Sequence, residues 1–233
     1  MNNPFLQIDN PAAWGPGSFE MAFPLVNALG IQPGMRVLEV GAGSGQIAAT
    51  LAKHWRVSVV ALEPWSDGIE IHTNAKLLSV ENQVLAMRLK AQSLPFPNDC
   101  FDAVISIGAF EMIEDDRPIT LAEMVRVVKP GGRVGIAEPM CLPAPIPDEI
   151  AELDNQTGGS FQRCFRTVAW NCNLFRQYQL KVIDSEYFSQ ARQWWLEYRE
   201  KHLMSQTDHA PEQELILRDE GRWISLGMVV GEK

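Results

Sequence analysis

One stretch restricts the fold of this chain more than any other. Met35-Arg36-Val37-Leu38-Glu39-Val40 is an apolar, β-branched run that reads as a buried strand, and it passes without a linker into Gly41-Ala42-Gly43-Ser44-Gly45. Gln46–His54 follows with helical composition, its apolar positions at Ile47, Ala48 and Leu51. A strand that turns through glycines into a helix is the first half of a βαβ unit. Glycine permits the tight turn and lets a ligand approach the backbone. The helix behind it offers free N–H groups at its start.

The alternation continues down the chain. Ser18–Leu29 suits a helix, with Pro24 an objection, and Gln32-Pro33-Gly34 is turn chemistry. Val57–Leu62 and Val84–Leu89 read as strands around a helix at Gly68–Ser79. After a loop at Leu94–Asp99 comes a strand at Phe101–Ile107. A helix at Ile119–Val128 is stopped by Lys129-Pro130-Gly131-Gly132, and Arg133–Ala137 forms the next strand. These runs are continuously apolar, as strands buried on both faces of a parallel sheet must be. Beyond Pro139 the texture changes. Met140–Pro147 holds three prolines, Asp154–Ser160 reads as a loop, and Phe161–Tyr178 reads as one helix. Lys181–Phe188 reads as a strand, Ala191–His202 and Glu212–Glu220 as helices, and Trp223–Val230 as a final strand.

Charge narrows the partners. Twenty basic against 29 acidic residues give −9 over 233 residues, which argues against gripping nucleic acid phosphates or an anionic membrane. No apolar run reaches the ~18 residues of a membrane span, and the N-terminal stretch lacks a signal-peptide pattern. The four cysteines contain no CxxC pair, which suits reduced thiols in a cytoplasm.

The glycine spacing is informative. A dinucleotide fingerprint, GxGxxG, would place its third glycine at position 46; that residue is Gln46, and the third glycine is Gly45. Glu63, 18 residues after Gly45, ends the second strand, where a carboxylate can accept from both ribose hydroxyls. Leu94-Pro95-Phe96, Phe101-Asp102-Ala103-Val104 and Val128-Lys129-Pro130-Gly131-Gly132 follow in that order. The GxGxG loop, Glu63 and this run together resemble the class I S-adenosylmethionine-dependent methyltransferases, over residues 34–138. The resemblance implies a Rossmann-like, doubly wound α/β fold with a mostly parallel seven-stranded sheet and an antiparallel C-terminal strand. It implies one domain: an N-terminal lid or substrate segment (1–33), a cofactor-binding core (34–139) and a substrate-pocket segment with the final strands (140–233). It also implies S-adenosyl-L-methionine as cofactor and a small-molecule methyl acceptor. A homodimer is one option for assembly.

The resemblance assigns roles as well. Gly41, Ala42, Gly43 and Gly45 would line the methionine and ribose, and Glu39 would help hold the methionine ammonium, directly or through water. Glu63 would bind the ribose, with Pro64 and Trp65 near the adenine. Ala91 and Gln92 would flank the adenine edge, and Ser106, Ile107 and Gly108 would pass under the methionine. Two positions depart from the pattern. Lys90 stands where an aspartate often accepts from the adenine amino group; lysine only donates, so either Gln92 takes over that work or the register slips. Met112 stands where some members carry a base.

The chemistry itself leaves few candidates. Glu111 and Glu138 are the carboxylates nearest the expected ligand edge. His54, His72, His202 and His209 read as surface residues. Trp14 and Phe19 fall where a lid would lie. Trp170, Tyr187, Phe188, Trp194 and Trp195 read as core or as an aromatic pocket. Cys164 and Cys172, eight apart on one expected helix, could join Cys141 as soft ligands, although their spacing is not that of a zinc site. A non-catalytic cofactor-binding protein on the same fold is the alternative to an enzyme. A nicotinamide dehydrogenase is disfavoured by Gln46.

Overall fold

A computed structural model describes residues 2–8, 15–203 and 210–233. Trp14 and His209 lie outside the described residues, as does the side chain of His202. Seven strands form one sheet in the order β3-β2-β1-β4-β5-β7-β6. They are β1 (Arg36–Val40), β2 (Ser58–Leu62), β3 (Val84–Met87), β4 (Phe101–Ile107), β5 (Val128–Cys141), β6 (Lys181–Tyr187) and β7 (Ile224–Glu232). β1 through β5 pair in parallel, and β7 runs antiparallel between β5 and β6. The expected doubly wound sheet with an antiparallel last strand is therefore the observed one.

Nine helices are described: α1 (Ser18–Leu29), α2 (Gln46–Trp55), α3 (Ile69–Leu77), α4 (Arg117–Val127), α5 (Asp148–Gln156), α6 (Ser160–Cys164), α7 (Val168–Gln177), α8 (Ala191–Leu203) and α9 (Ala210–Asp219). Successive side chains of a strand face opposite sides of a sheet, and two apolar layers result. One joins Val37, Ile105 and Ala137 to α1, α2, α3, α8 and α9. The other joins Leu38, Val104, Ile136 and Met140 to α4 and α7. Among the described residues no helix is long and apolar enough to cross a membrane.

The sequence signature is partly structural. Asp102 accepts from the Arg36 N–H at 2.7 Å and pairs with Lys129 Nζ at 2.5 Å, at the starts of β1 and β4. That is the edge opposite the glycine loop. Arg126 on α4 donates to the carbonyls of Leu94 (2.9 Å) and Phe96 (2.7 Å) and so anchors the Leu-Pro-Phe loop.

Three expectations need correction. Lys129–Gly132 does not separate a helix from a later strand. β5 already begins at Val128, opposite Phe101, and the ladder resumes with Ala103 opposite Arg133 after a register shift. The run Phe161–Tyr178 is two helices, because Thr167 caps α7 by accepting from the Trp170 N–H at 3.0 Å. Cys164 and Cys172 thus lie on different helices. Asp154–Gln156 is not loop but the end of α5, whose first turn carries Asp148 and Glu149 as helix starts favour. Asp154 then turns the chain into α6, accepting from the Phe161 and Gln162 N–H groups at 3.0 Å each.

Candidate functional site

At the carboxyl end of β1 the chain folds back on β2. The Gly41 and Ala42 N–H groups both donate to the Leu62 carbonyl, at 2.9 and 2.8 Å. Gly41 has φ 76°, and a Cβ there would fall 2.2 Å from the Ala109 Cβ. Gly45, also at φ 76°, lies against α3; its Cβ would stand 2.9 Å from the Ile71 Cα. Both glycines are therefore required by contacts and by a left-handed backbone. Glu63 leaves the end of β2 and braces this loop: one carboxylate oxygen accepts from the Gly43 N–H at 2.9 Å, the other from the Trp65 N–H at 3.0 Å. Each oxygen keeps a lone pair for a further donor.

Glu39 is buried beneath the loop, and its Oε2 has no hydrogen-bond partner. Burial, and then the neighbouring Glu63 charge, push its pKa up to about 8; a bond from the Ala48 N–H at the start of α2 works the other way. A buried carboxyl with one unpartnered oxygen beside a carboxylate is suited to a cation. These residues fit a molecule that brings an ammonium to Glu39 and a diol to Glu63.

The remaining expected positions divide. Trp65 is 76% exposed, with Lys90 Nζ 6.0 Å from its ring, so Lys90 lies on the outer wall. Gln92 donates its amide nitrogen to Asp116 at 3.3 Å, which leaves its oxygen as the acceptor Lys90 cannot be. Ala91 is buried and Pro64 half-buried. Ser106 is fully buried, and its hydroxyl donates to the Val40 carbonyl at 2.9 Å, so its side chain ties β4 to β1. Ile107 is buried below Gly108, whose Cβ would lie 3.4 Å from Ser18 Oγ at the start of α1. The N-terminal helix thus reaches the loop after β4. Met112 is exposed, as are His54 and His72. Trp195, Phe165 and Phe161 form an aromatic cluster with centroids 4.6 to 5.9 Å apart, and Phe19 and Phe188 are buried in the same layer, which makes these aromatics core. Tyr187 donates to the Cys141 carbonyl at 2.8 Å. Among the described residues no three His, Cys, Asp or Glu side chains are placed to hold a metal ion.

Glu111 and Glu138, considered separately in the sequence, meet in the structure. Glu138 shares a face of β5 with Ile136 and Met140 and bonds through its side chain to Glu111, in the turn after β4. Both are buried. Burial raises Glu111 to about 7, and burial plus the Glu111 charge carry Glu138 well above the carboxylate range. Arg117, at the start of α4, is fully buried beside them. Its guanidinium donates to the carbonyls of Phe110 (3.3 Å), Glu111 (2.8 Å) and Cys164. Asn171 of α7 completes the group, its Nδ2 3.5 Å from Glu138 Oε1. Sequence reasoning missed Arg117 and Asn171. A signal existed for the first: a cation opening a helix opposes the helix dipole, and such a placement asks for a reason.

Comparison with known proteins agrees with this geometry. Residues 38–136 match the family model of the methyltransferase domain. An uncharacterised protein of Mycobacterium bovis is 37% identical over 118 residues, which cover 50% of this chain and 42% of that protein. A demethylmenaquinone methyltransferase of Clavibacter sepedonicus is 32% identical over 145 residues, covering 62% of this chain and 54% of that protein. The chain spans about half the length of the curated relatives it matches. Among solved structures, the cyclase SpnF superposes with a TM-score of 0.79 at 19% identity, over 97% of this chain and 85% of that one. Phosphoethanolamine N-methyltransferase 2 of Haemonchus contortus, solved with phosphomonomethylethanolamine and S-adenosylhomocysteine, gives 0.74 at 18% identity, over 94% and 54%. At these identities the structures show the fold. The matched sequence, the sheet order and the glycine loop braced by Glu63 agree: residues 38–136 of this chain are similar to a methyltransferase domain.

Proposed function

We propose that the protein transfers the methyl group of S-adenosylmethionine to a small-molecule acceptor by in-line displacement. The observation that carries this reading is the cradle at the ends of β1 and β2: a glycine loop braced by Glu63 above the unpartnered oxygen of Glu39. The cofactor supplies a methyl group already activated on a sulfonium sulfur. The protein's share is then binding, alignment and proton handling. Glu39 would neutralise the methionine ammonium, Glu63 would receive the ribose hydroxyls, and Gly41, Ala42, Gly43 and Gly45 would allow close approach. Pro64, Trp65, Ala91 and Gln92 would hold the adenine, and the backbone of Ser106, Ile107 and Gly108 would hold the methionine.

Residues 1–33 and 140–233 form the acceptor side in this reading. Support comes from α1, which packs on β4, β5 and β7, and from α6 and α7, which close over Glu111 and Glu138. That carboxyl pair is the candidate acid–base group. The charge of −9 favours a small acceptor over a nucleic acid. Four free cysteines suit a cytoplasmic enzyme.

Calorimetric titration with S-adenosylmethionine and S-adenosylhomocysteine, beside Glu63→Ala, tests the reading. Micromolar or tighter binding that weakens about a hundredfold in the variant is expected, since two charge-assisted hydrogen bonds are lost. A folded wild-type protein that binds neither ligand would overturn it.

A further inference from the structure

Four polar atoms in the Glu111–Glu138 cluster lack a hydrogen-bond partner: Glu111 Oε2, Glu138 Oε2, Asn171 Oδ1 and Arg117 Nη1. Each belongs to a residue no more than 4% exposed. They come from the turn after β4, from β5, from α7 and from α4, and the side chains are already in contact with one another. Proteins rarely leave buried polar atoms unpaired, and four in one cluster point to a guest that completes them.

The chemistry of the guest follows from two counts. Three of the four atoms are oxygens that accept, so the guest brings N–H or O–H donors. Two carboxylates against one guanidinium leave the ionised cluster at −1, and a buried group is tolerable only when neutral or paired. Without a guest, one proton shared by the carboxyls restores neutrality. A single positive charge on a guest does the same. A primary or secondary ammonium meets both conditions; an alcohol meets only the first.

We propose that Glu111, Glu138 and Asn171 seat the acceptor as an amine, which makes the protein an amine-directed methyltransferase. The proposal rests on the methyltransferase reading above. The ammonium N–H groups are received by the three oxygens. One ammonium proton then moves to a carboxylate of the pair, and the nitrogen is left with the free electron pair that methyl transfer requires. Arg117, the one donor of the set, supplies the compensating charge. Trp170 precedes Asn171, stands 38% exposed, and has the Arg117 and Arg166 guanidiniums 5.6 and 5.7 Å from its ring. It is the cover through whose movement the amine enters.

The other titratable groups around the cluster do not supply this charge. Burial raises the Cys141 thiol, and burial with the Glu114 and Glu111 charges raises Cys164 to about 11, so both stay neutral. Arg163 pairs with Glu114 at 3.6 Å. The Arg166 guanidinium stands 5.7 Å from the Trp170 ring and acts on Arg117 as a like charge.

Methylammonium chloride is the probe, titrated into the S-adenosylhomocysteine-loaded protein at pH 6 and pH 8.5. Tetramethylammonium chloride at equal ionic strength is the control, since it has the charge without an N–H. Methylammonium should raise the melting temperature saturably, with at least tenfold higher affinity at pH 8.5, and tetramethylammonium should not. Glu138→Gln and, separately, Asn171→Leu should each weaken methylammonium at least tenfold while S-adenosylhomocysteine affinity holds. Equal responses to the two cations, or none to methylammonium in protein that binds S-adenosylhomocysteine, overturn the amine site alone. Failure to bind S-adenosylhomocysteine overturns the methyltransferase reading, and the amine site with it.

Discussion

The molecule holds two pairs of glutamates at the carboxyl edge of its sheet, and they are solved differently. Glu39 and Glu63 sit at the ends of β1 and β2, where backbone N–H groups of Gly43, Trp65 and Ala48 receive them. Glu111, in the turn after β4, and Glu138, near the end of β5, are bonded to each other and to the Glu111 N–H, and are attended by the side chains of Arg117 and Asn171. Strand alternation puts Glu39 in the α1–α2 layer and Glu138 in the α4–α7 layer. A pair held by backbone survives side-chain drift around it, and suits a cofactor that does not vary. A pair whose surroundings also depend on side chains from two further helices can be retuned by one substitution, and suits an acceptor that does.

The largest test of this contrast is Arg117→Met. It removes the cation buried with Glu111 and Glu138 and takes one hydrogen-bond donor from each of three carbonyls. A loss of about 3–5 kcal/mol is expected in denaturant unfolding. A loss below ~1 kcal/mol would mean the second pair does not depend on side chains as described.

A smaller effect sharpens the first pair. Glu39, raised to about 8, is protonated in the free protein near neutral pH. An ammonium beside it favours the carboxylate, so binding expels a proton below that value. Affinity for S-adenosylhomocysteine should fall as pH drops from 8 to 6, approaching tenfold per unit. Calorimetry in two buffers of different ionisation enthalpy reads the released proton, and Glu39→Gln should abolish it. Affinity that is flat with pH in the wild type would argue against a direct ammonium contact.

The smallest effect concerns the strand between the pairs. Ser106→Ala should cost about 1 kcal/mol through the lost bond to Val40. S-adenosylhomocysteine affinity should stay within twofold. A tenfold loss would make the hydroxyl a ligand rather than a tie.

The same contrast explains what could be read from the chain. The glycine loop, Glu63 and the parallel strands depend on local spacing and on apolar runs, and the expected β1, α1 and β4 match the structure within a residue. The break between α6 and α7 was hidden because a Thr167 cap leaves helical residues on both sides. α5 was hidden behind prolines that end one residue before it. Glu111 and Glu138 were visible as individual carboxylates. Their meeting was not, since it depends on β4 and β5 lying side by side and on Arg117 and Asn171 arriving from two further helices.

Gly45 carries a consequence for how such a domain can change over generations. The atom its Cβ would meet at 2.9 Å is the backbone of Ile71, which no repacking of side chains can move aside. Shifting the third glycine one place along, to the spacing of nicotinamide-binding loops, would put a side chain at position 45 against α3. A lineage starting from this sequence could not move that glycine by substitution alone: α3 would have to give way in the same step.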